Sequence, residues 1–131
     1  MLHVEDEEDH AKFLEIFLRE NDAALEVDSA SSAEKALKKL KEKQYDCIVS
    51  DYMMPKVNGI KFAEQVKKSH DIPFIIYTGQ GSEEVAQAAF TAGVDDYVRK
   101  EMDPSHYRVL AKSIRQAVEK KRAENELKES L

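Results

Sequence analysis

A doubly wound α/β domain built on a five-stranded parallel sheet is the fold class this sequence predicts, on two observations. Apolar runs of strand length alternate with amphipathic stretches of helix length along the chain, the pattern that covers both faces of a parallel sheet with helices. Carboxylate, hydroxyl and ammonium side chains follow the apolar runs directly, at Glu5 and Asp6, Asp51, Thr78 and Lys100. Open α/β sheets gather their chemistry at that lip. No internal repeat or low-complexity stretch competes with this reading.

The first strand is expected over 2–4, short for a central strand. A first helix begins near Asp9 and presents Phe13, Leu14, Phe17 and Leu18 as its buried stripe. The second strand is expected over 25–30 and the second helix near Ser32. There, Ser31 and Glu34 have capping-box spacing, and Ala33, Ala36, Leu37 and Leu40 follow at i, i+3, i+4 and i+7. A third strand over 47–50 holds the lone cysteine, Cys47, a small buried hydrophobe rather than a redox or metal group. The third helix begins near Gly59. Pro73 can stand only at the start of the fourth strand, 74–77. The fourth helix runs from near Glu83 to Gly93, which stops it as a C′ residue, and the fifth strand follows over 96–99.

A fifth helix begins after Pro104, a residue suited to a first helical turn. Its stripe reads Tyr107, Leu110, Ala111, Ile114, Ala117 and Val118, an unbroken 3.6-residue period. The next positions in that period are Lys121, Asn125 and Lys128, so the domain is expected to occupy 1–119, with 120–131 a helical extension. The pairs Lys120 with Glu124, Arg122 with Glu126, and Glu124 with Lys128 favour helix by about 0.2–0.5 kcal/mol each, too little to order so short a segment alone. Ala123, Leu127 and Leu131 form a stripe out of phase with Val118. That stripe suits a partner helix, and with it a homodimer through the fifth helix and its extension.

With 131 residues and 42% hydrophobic content, the chain fits one core. Its net charge of −6 is uneven: residues 1–100 hold 13 basic and 20 acidic side chains, and residues 101–131 hold 7 and 6. An acidic body argues against direct contact with DNA or RNA. No apolar run approaches the ~20 residues of a membrane span, and no signal peptide opens the chain, so a cytoplasmic location without membrane attachment is expected. His3, His10, His70 and His106 lack ligand spacing and read as structural or surface residues.

The strand-end groups together suggest a reaction class. A carboxylate can attack phosphorus when the phosphoryl charge is met by a divalent cation, a hydroxyl donor and a fixed ammonium. Asp51 is the candidate nucleophile. Glu7, Glu8 and Asp9 are explained as anions near a helix N-terminus, worth about 0.3–1 kcal/mol. Glu5 and Asp6 are not, because they crowd negative charge beside Asp51 and call for a hard cation such as Mg²⁺. Thr78 would supply a hydrogen bond and Lys100 a point charge to phosphoryl oxygens.

With Pro55 and Gly59 at fixed distances after Asp51, this pattern resembles the receiver domain of two-component response regulators over residues 1–119. The resemblance implies a flavodoxin-like strand order, 2-1-3-4-5, with five helices. It implies that Asp51 is the phosphoacceptor, that Glu5, Asp6, Asp51 and the Met53 backbone carbonyl hold Mg²⁺, and that Thr78 and Lys100 contact the phosphoryl group. Thr78 and Tyr97 match the switch positions. The implied partners are a sensor histidine kinase as donor and a downstream protein or output domain. Phosphotransfer and dephosphorylation would be self-catalysed, without turnover of a separate substrate.

Four positions depart from that pattern. Glu5 stands where aspartate is commoner. Glu101 follows Lys100 where many members carry a proline after a cis bond; cis before a non-proline costs about 2.5–4 kcal/mol, which favours trans here. Gly79, Gln80 and Gly81 make a flexible loop after Thr78. The stretch 83–92 has no basic residue, so the charge pairs by which many DNA-binding members dimerise cannot form as usual. Two other classes fit less well. A haloacid-dehalogenase-type phosphatase needs a second aspartate where Met53 stands, and in a flavodoxin-type FMN module the acids from Glu5 to Asp9 would repel the flavin phosphate.

Overall fold

The computed structural model describes residues 1–130. Ten elements alternate: β1 (Leu2–Val4), α1 (Glu8–Asn21), β2 (Asp28–Ala30), α2 (Ala33–Glu42), β3 (Ile48–Ser50), α3 (Gly59–Ser69), β4 (Phe74–Thr78), α4 (Glu83–Thr91), β5 (Asp96–Arg99) and α5 (His106–Ser130). All strand pairs are parallel, in the order β2-β1-β3-β4-β5. The expected fold class and order both hold.

The two-residue period of the strands sorts the core into two layers. Leu2, Val4, Ile48, Phe74 and Ile76 face α2, α3 and α4, where they meet Ala36, Leu40, Phe62, Val66 and Ala89. Val49, Ile75, Tyr77 and Val98 face α1 and α5, where they meet Leu14, Leu18, Leu110 and Ile114. Cys47 lies fully buried in this second layer, and burial pushes its thiol pKa up to about 12. Phe17 of α1 stacks on Tyr107 of α5 with ring centroids 4.6 Å apart.

Three sequence expectations are corrected. The second strand is Asp28–Ala30 rather than 25–30, because β1 offers only Leu2 to Val4 to pair with and the register begins at Leu2 with Asp28. The cap of α2 is Ser32, whose hydroxyl accepts from the Lys35 N–H at 3.2 Å, not a Ser31 and Glu34 box. Phe13 is 55% exposed, since the buried line of α1 runs through Ala11, Leu14 and Leu18. The fifth helix begins after Pro104, as expected, and Pro104 itself lies in a turn that brings the His106 N–H to the Asp103 carbonyl.

Gly93 does sit just past α4 at a φ of +96°, as a C′ residue requires. The helix α5 runs unbroken to Ser130, and its apolar contact with the second layer ends at Ala117 and Val118. One turn later Lys121 bonds Asp71, in the segment between α3 and β4, and Arg122 approaches Asp46 at 3.9 Å. The expected Lys120–Glu124, Arg122–Glu126 and Glu124–Lys128 pairs do not close within 4.0 Å; Glu124 instead meets Lys121 at 3.9 Å. Ala123 and Leu127 are exposed, and Leu131 lies outside the described residues. Among the described residues no helix is long and apolar enough to cross a membrane.

Candidate functional site

Backbone hydrogen bonds carry the sheet one residue past its strand ends and so fix the groups on its rim. The Glu5 N–H donates to the Ala30 carbonyl, Asp51 to Val4 and Lys100 to Thr78, each at 3.0 Å. The residues that follow β1, β3 and β5 are thereby aligned beside the last residue of β4. Behind Asp51 the chain turns tightly, and the Gly59 N–H donates to the Tyr52 carbonyl at 2.8 Å. A Cβ on Gly59 would stand 2.4 Å from the Asp51 carbonyl oxygen, so no larger residue could hold the phosphoacceptor candidate's backbone where it is.

Lys100 ties the rim together. Its Nζ donates to Glu5 Oε1 at 2.8 Å and to Asp51 Oδ2 at 2.9 Å, and it stands 5.3 Å from the centroid of the Tyr77 ring. The Met53 N–H donates to the other Asp51 oxygen at 3.2 Å. Burial opposes ionisation of Asp51, but the Lys100 ammonium and the nearby Thr78 hydroxyl overcome it and hold the carboxyl below its ordinary range. Glu5 is 3% exposed, and there burial wins over Lys100 and pushes its pKa up to about 7. Lys100 is raised, because its two carboxylates outweigh its own desolvation.

The expected site residues are only partly brought together. Glu5, Asp51 and Lys100 form one cluster. The Thr78 hydroxyl lies near Asp51 but takes its hydrogen bonds within its own loop, accepting from the Gln80 N–H and donating to the Gln80 carbonyl, both at 3.1 Å. Asp6 is exposed, as is Met53, and among the described residues no three acidic, imidazole or thiol groups already converge as a ligand set. Tyr97 is half-buried against the first core layer. The Lys100–Glu101 peptide is trans.

Two histidines do more than the sequence suggested. His10 reaches Glu5 Oε1 through Nδ1 at 3.3 Å and Glu7 Oε2 through Nε2 at 3.0 Å. Its i, i+3 spacing from Glu7 was the available signal. His106 is buried, its Nε2 2.5 Å from the Tyr77 hydroxyl and its Nδ1 2.6 Å from the Asp103 carbonyl oxygen; nothing in the spacing of residues 77 and 106 announces that contact. His3 is a buried structural residue, its pKa pushed down to about 3 by burial and then by Lys100.

The profile of the response regulator receiver domain matches residues 1–115. The transcriptional regulatory protein ResD of Bacillus subtilis is 34% identical over 115 residues, which cover 87% of this chain and 47% of that protein. The chain thus spans about half the length of the curated relatives it matches. Among solved structures, a response regulator receiver domain protein from Clostridium thermocellum superposes with a TM-score of 0.81 at 27% identity, covering 93% of this chain and 95% of that one. The Francisella response regulator 1452 receiver domain gives 0.80 at 26% identity, covering 92% and 96%.

Proposed function

Because the chain belongs to the family of response regulator receiver domains, we propose that it takes a phosphoryl group onto Asp51 from a sensor histidine kinase and passes the resulting change to a downstream protein or output domain. The observation that carries this reading is the paired hold on Asp51: Lys100 on one carboxylate oxygen and the Met53 N–H on the other. The carboxylate is kept ionised and oriented, as a nucleophile must be.

In the transfer, an Asp51 oxygen forms a bond to phosphorus while the phosphorus–nitrogen bond of the donor phosphohistidine breaks. The electron pair leaves on the imidazole nitrogen, which is then protonated from solvent. Lys100 neutralises the incoming oxygens, and the Thr78 hydroxyl exchanges its Gln80 partner for a phosphoryl oxygen. Attack of water on the acyl phosphate later returns the carboxylate and inorganic phosphate. The chain thus acts on itself and turns over no separate substrate.

Glu5, Asp6, Asp51 and the Met53 backbone carbonyl are the hard oxygens that would hold Mg²⁺, which when bound offsets the charge of the phosphoryl oxygens. The fit is supported by Glu5 Oε2, a buried carboxylate oxygen without a hydrogen-bond partner. Switching would follow from the new Thr78 bond, which supplies the differential free energy for a shift of Tyr97 and the α4–β5 face. We also propose that residues 120–131 form a helical extension beyond the receiver body and serve as a dimerising or signal-carrying helix. The exposed Ala123 and Leu127 on an unbroken α5 support this.

Incubation with Mg²⁺ and a small phosphodonor, followed by mass mapping, tests the central claim. A base-labile acyl phosphate is expected on Asp51 alone, and Asp6→Ala should weaken Mg²⁺ binding far more than Glu8→Ala. Labelling of Asp51→Asn at the unsubstituted rate would sink the reading.

A further inference from the structure

The loop joining β4 to α4 contains two glycines with different surroundings. A Cβ on Gly79 would meet only the Lys100 side chain, at 3.6 and 3.9 Å, which is ordinary van der Waals contact. A Cβ on Gly81 would stand 1.7 Å from the Tyr97 hydroxyl oxygen and 3.1 Å from its Cζ, with Thr78 Cγ2 at 3.6 Å. Neither glycine needs its conformational freedom for the turn, because Gly93 is the positive-φ glycine of the described residues. What Gly81 provides is space, and the Tyr97 phenol fills it. The obstructing atom is the tip of a side chain with rotamers of its own. A side chain added at 81 would therefore be relieved by rotation of Tyr97, not by distortion of the sheet.

Thr78 and Tyr97 are thus joined through one short loop. The Thr78 hydroxyl is bonded to both backbone groups of Gln80, and the next residue is the floor on which the Tyr97 hydroxyl rests. A shift of the loop backbone at Gln80 would carry that floor with it. We propose that Gly81 is a positioning residue for Tyr97, its absent side chain being the seat that holds the phenol against the β4–α4 loop. The seat stands on geometry alone; only its consequence for signalling rests on the receiver reading.

The experiment uses the full, unphosphorylated chain with ¹³C-labelled tyrosine rings, so its failure and a failure of Asp51 labelling remain separate results. In Gly81→Ala the Tyr97 ring resonances should move and its ring should lose its nuclear Overhauser contacts to residue 81. In Gly79→Ala they should stay. The amide shifts that Gly81→Ala causes from Ser82 to Val85 should shrink at least threefold in a Tyr97→Phe background, where the obstructing hydroxyl is gone and only the 3.1 Å Cζ contact remains. A Tyr97 ring that stays in place in Gly81→Ala, equal displacement by Gly79→Ala, or equal amide shifts in both backgrounds would each overturn the proposal.

Discussion

At Lys56, in the loop that follows Asp51, the backbone adopts a φ of +70°, and the Val57 N–H reaches back to the Pro55 carbonyl at 2.8 Å. This is a three-residue turn of the strained kind, and a side chain in the left-handed region costs roughly 1–2 kcal/mol. Lys56→Gly removes that cost but adds freedom to the unfolded chain, so a net gain of about 0.5–1 kcal/mol is expected. The reading is a higher urea midpoint at unchanged m-value; a lower midpoint would show that Lys56 makes a contact worth more than the strain. A second residue-scale expectation concerns acid. The Tyr45 hydroxyl donates to Asp28 at 2.7 Å and Lys43 at 3.1 Å, and these hold the Asp28 pKa below its ordinary value. A folded pKa below the unfolded one stabilises fully above the unfolded value, about 3.9, and that stability is lost as pH falls through the folded value. Asp28→Asn should therefore lower the urea midpoint at pH 7 and narrow the gap to the unsubstituted chain as pH drops toward 3. A gap independent of pH would assign its effect to packing.

Helix starts separate what side-chain chemistry can announce from what only the chain's path decides. Ser31 and Ser32 are equivalent on paper. The structure gives the cap to Ser32, while Ser31 Oγ accepts only from the exposed Lys35 Nζ at 3.0 Å. Ser32→Ala should cost about 1 kcal/mol and Ser31→Ala less than about 0.5 kcal/mol, read from thermal unfolding; equal losses would restore the alternative cap. The same divide runs through the rest of the sequence reading. The strand-end acids, hydroxyl and lysine were legible because a parallel sheet delivers residues after its strands to one rim. The stripe of α5 was legible because an unbroken 3.6-residue period has one interpretation. The length of β2 was not, because it is set by β1 across the ladder. Phe13 was misplaced because adjacent apolar residues at 13 and 14 leave the rotation of α1 to be decided by Leu18 and Ala11. The turning of Glu5 toward Lys100 depends on side-chain reach across 95 residues of sequence, and no local pattern encodes it.

On the scale of the whole molecule, the receiver body ends in apolar contact at Val118, with α5 continuing to Ser130. Removal of residues 120–131 should leave Asp51 labelling intact and abolish self-association measured by sedimentation; a truncated chain that dimerises as strongly as the full one would remove the extension from that role. The deletion also severs the contacts of Lys121 with Asp71 and Arg122 with Asp46, so a small stability loss is expected, within the range of exposed ion pairs at about 0–1 kcal/mol. The body itself contains a clock for such comparisons. Cys47 is the chain's one thiol, shut inside the layer between the sheet and α1 with α5, and a thiol held in that form does not react with alkylating reagents. It becomes reactive only in molecules whose layer has come off the sheet. Alkylation under native conditions therefore counts those openings one molecule at a time, and its pace against urea tells whether the layer parts alone or only when the whole sheet unravels.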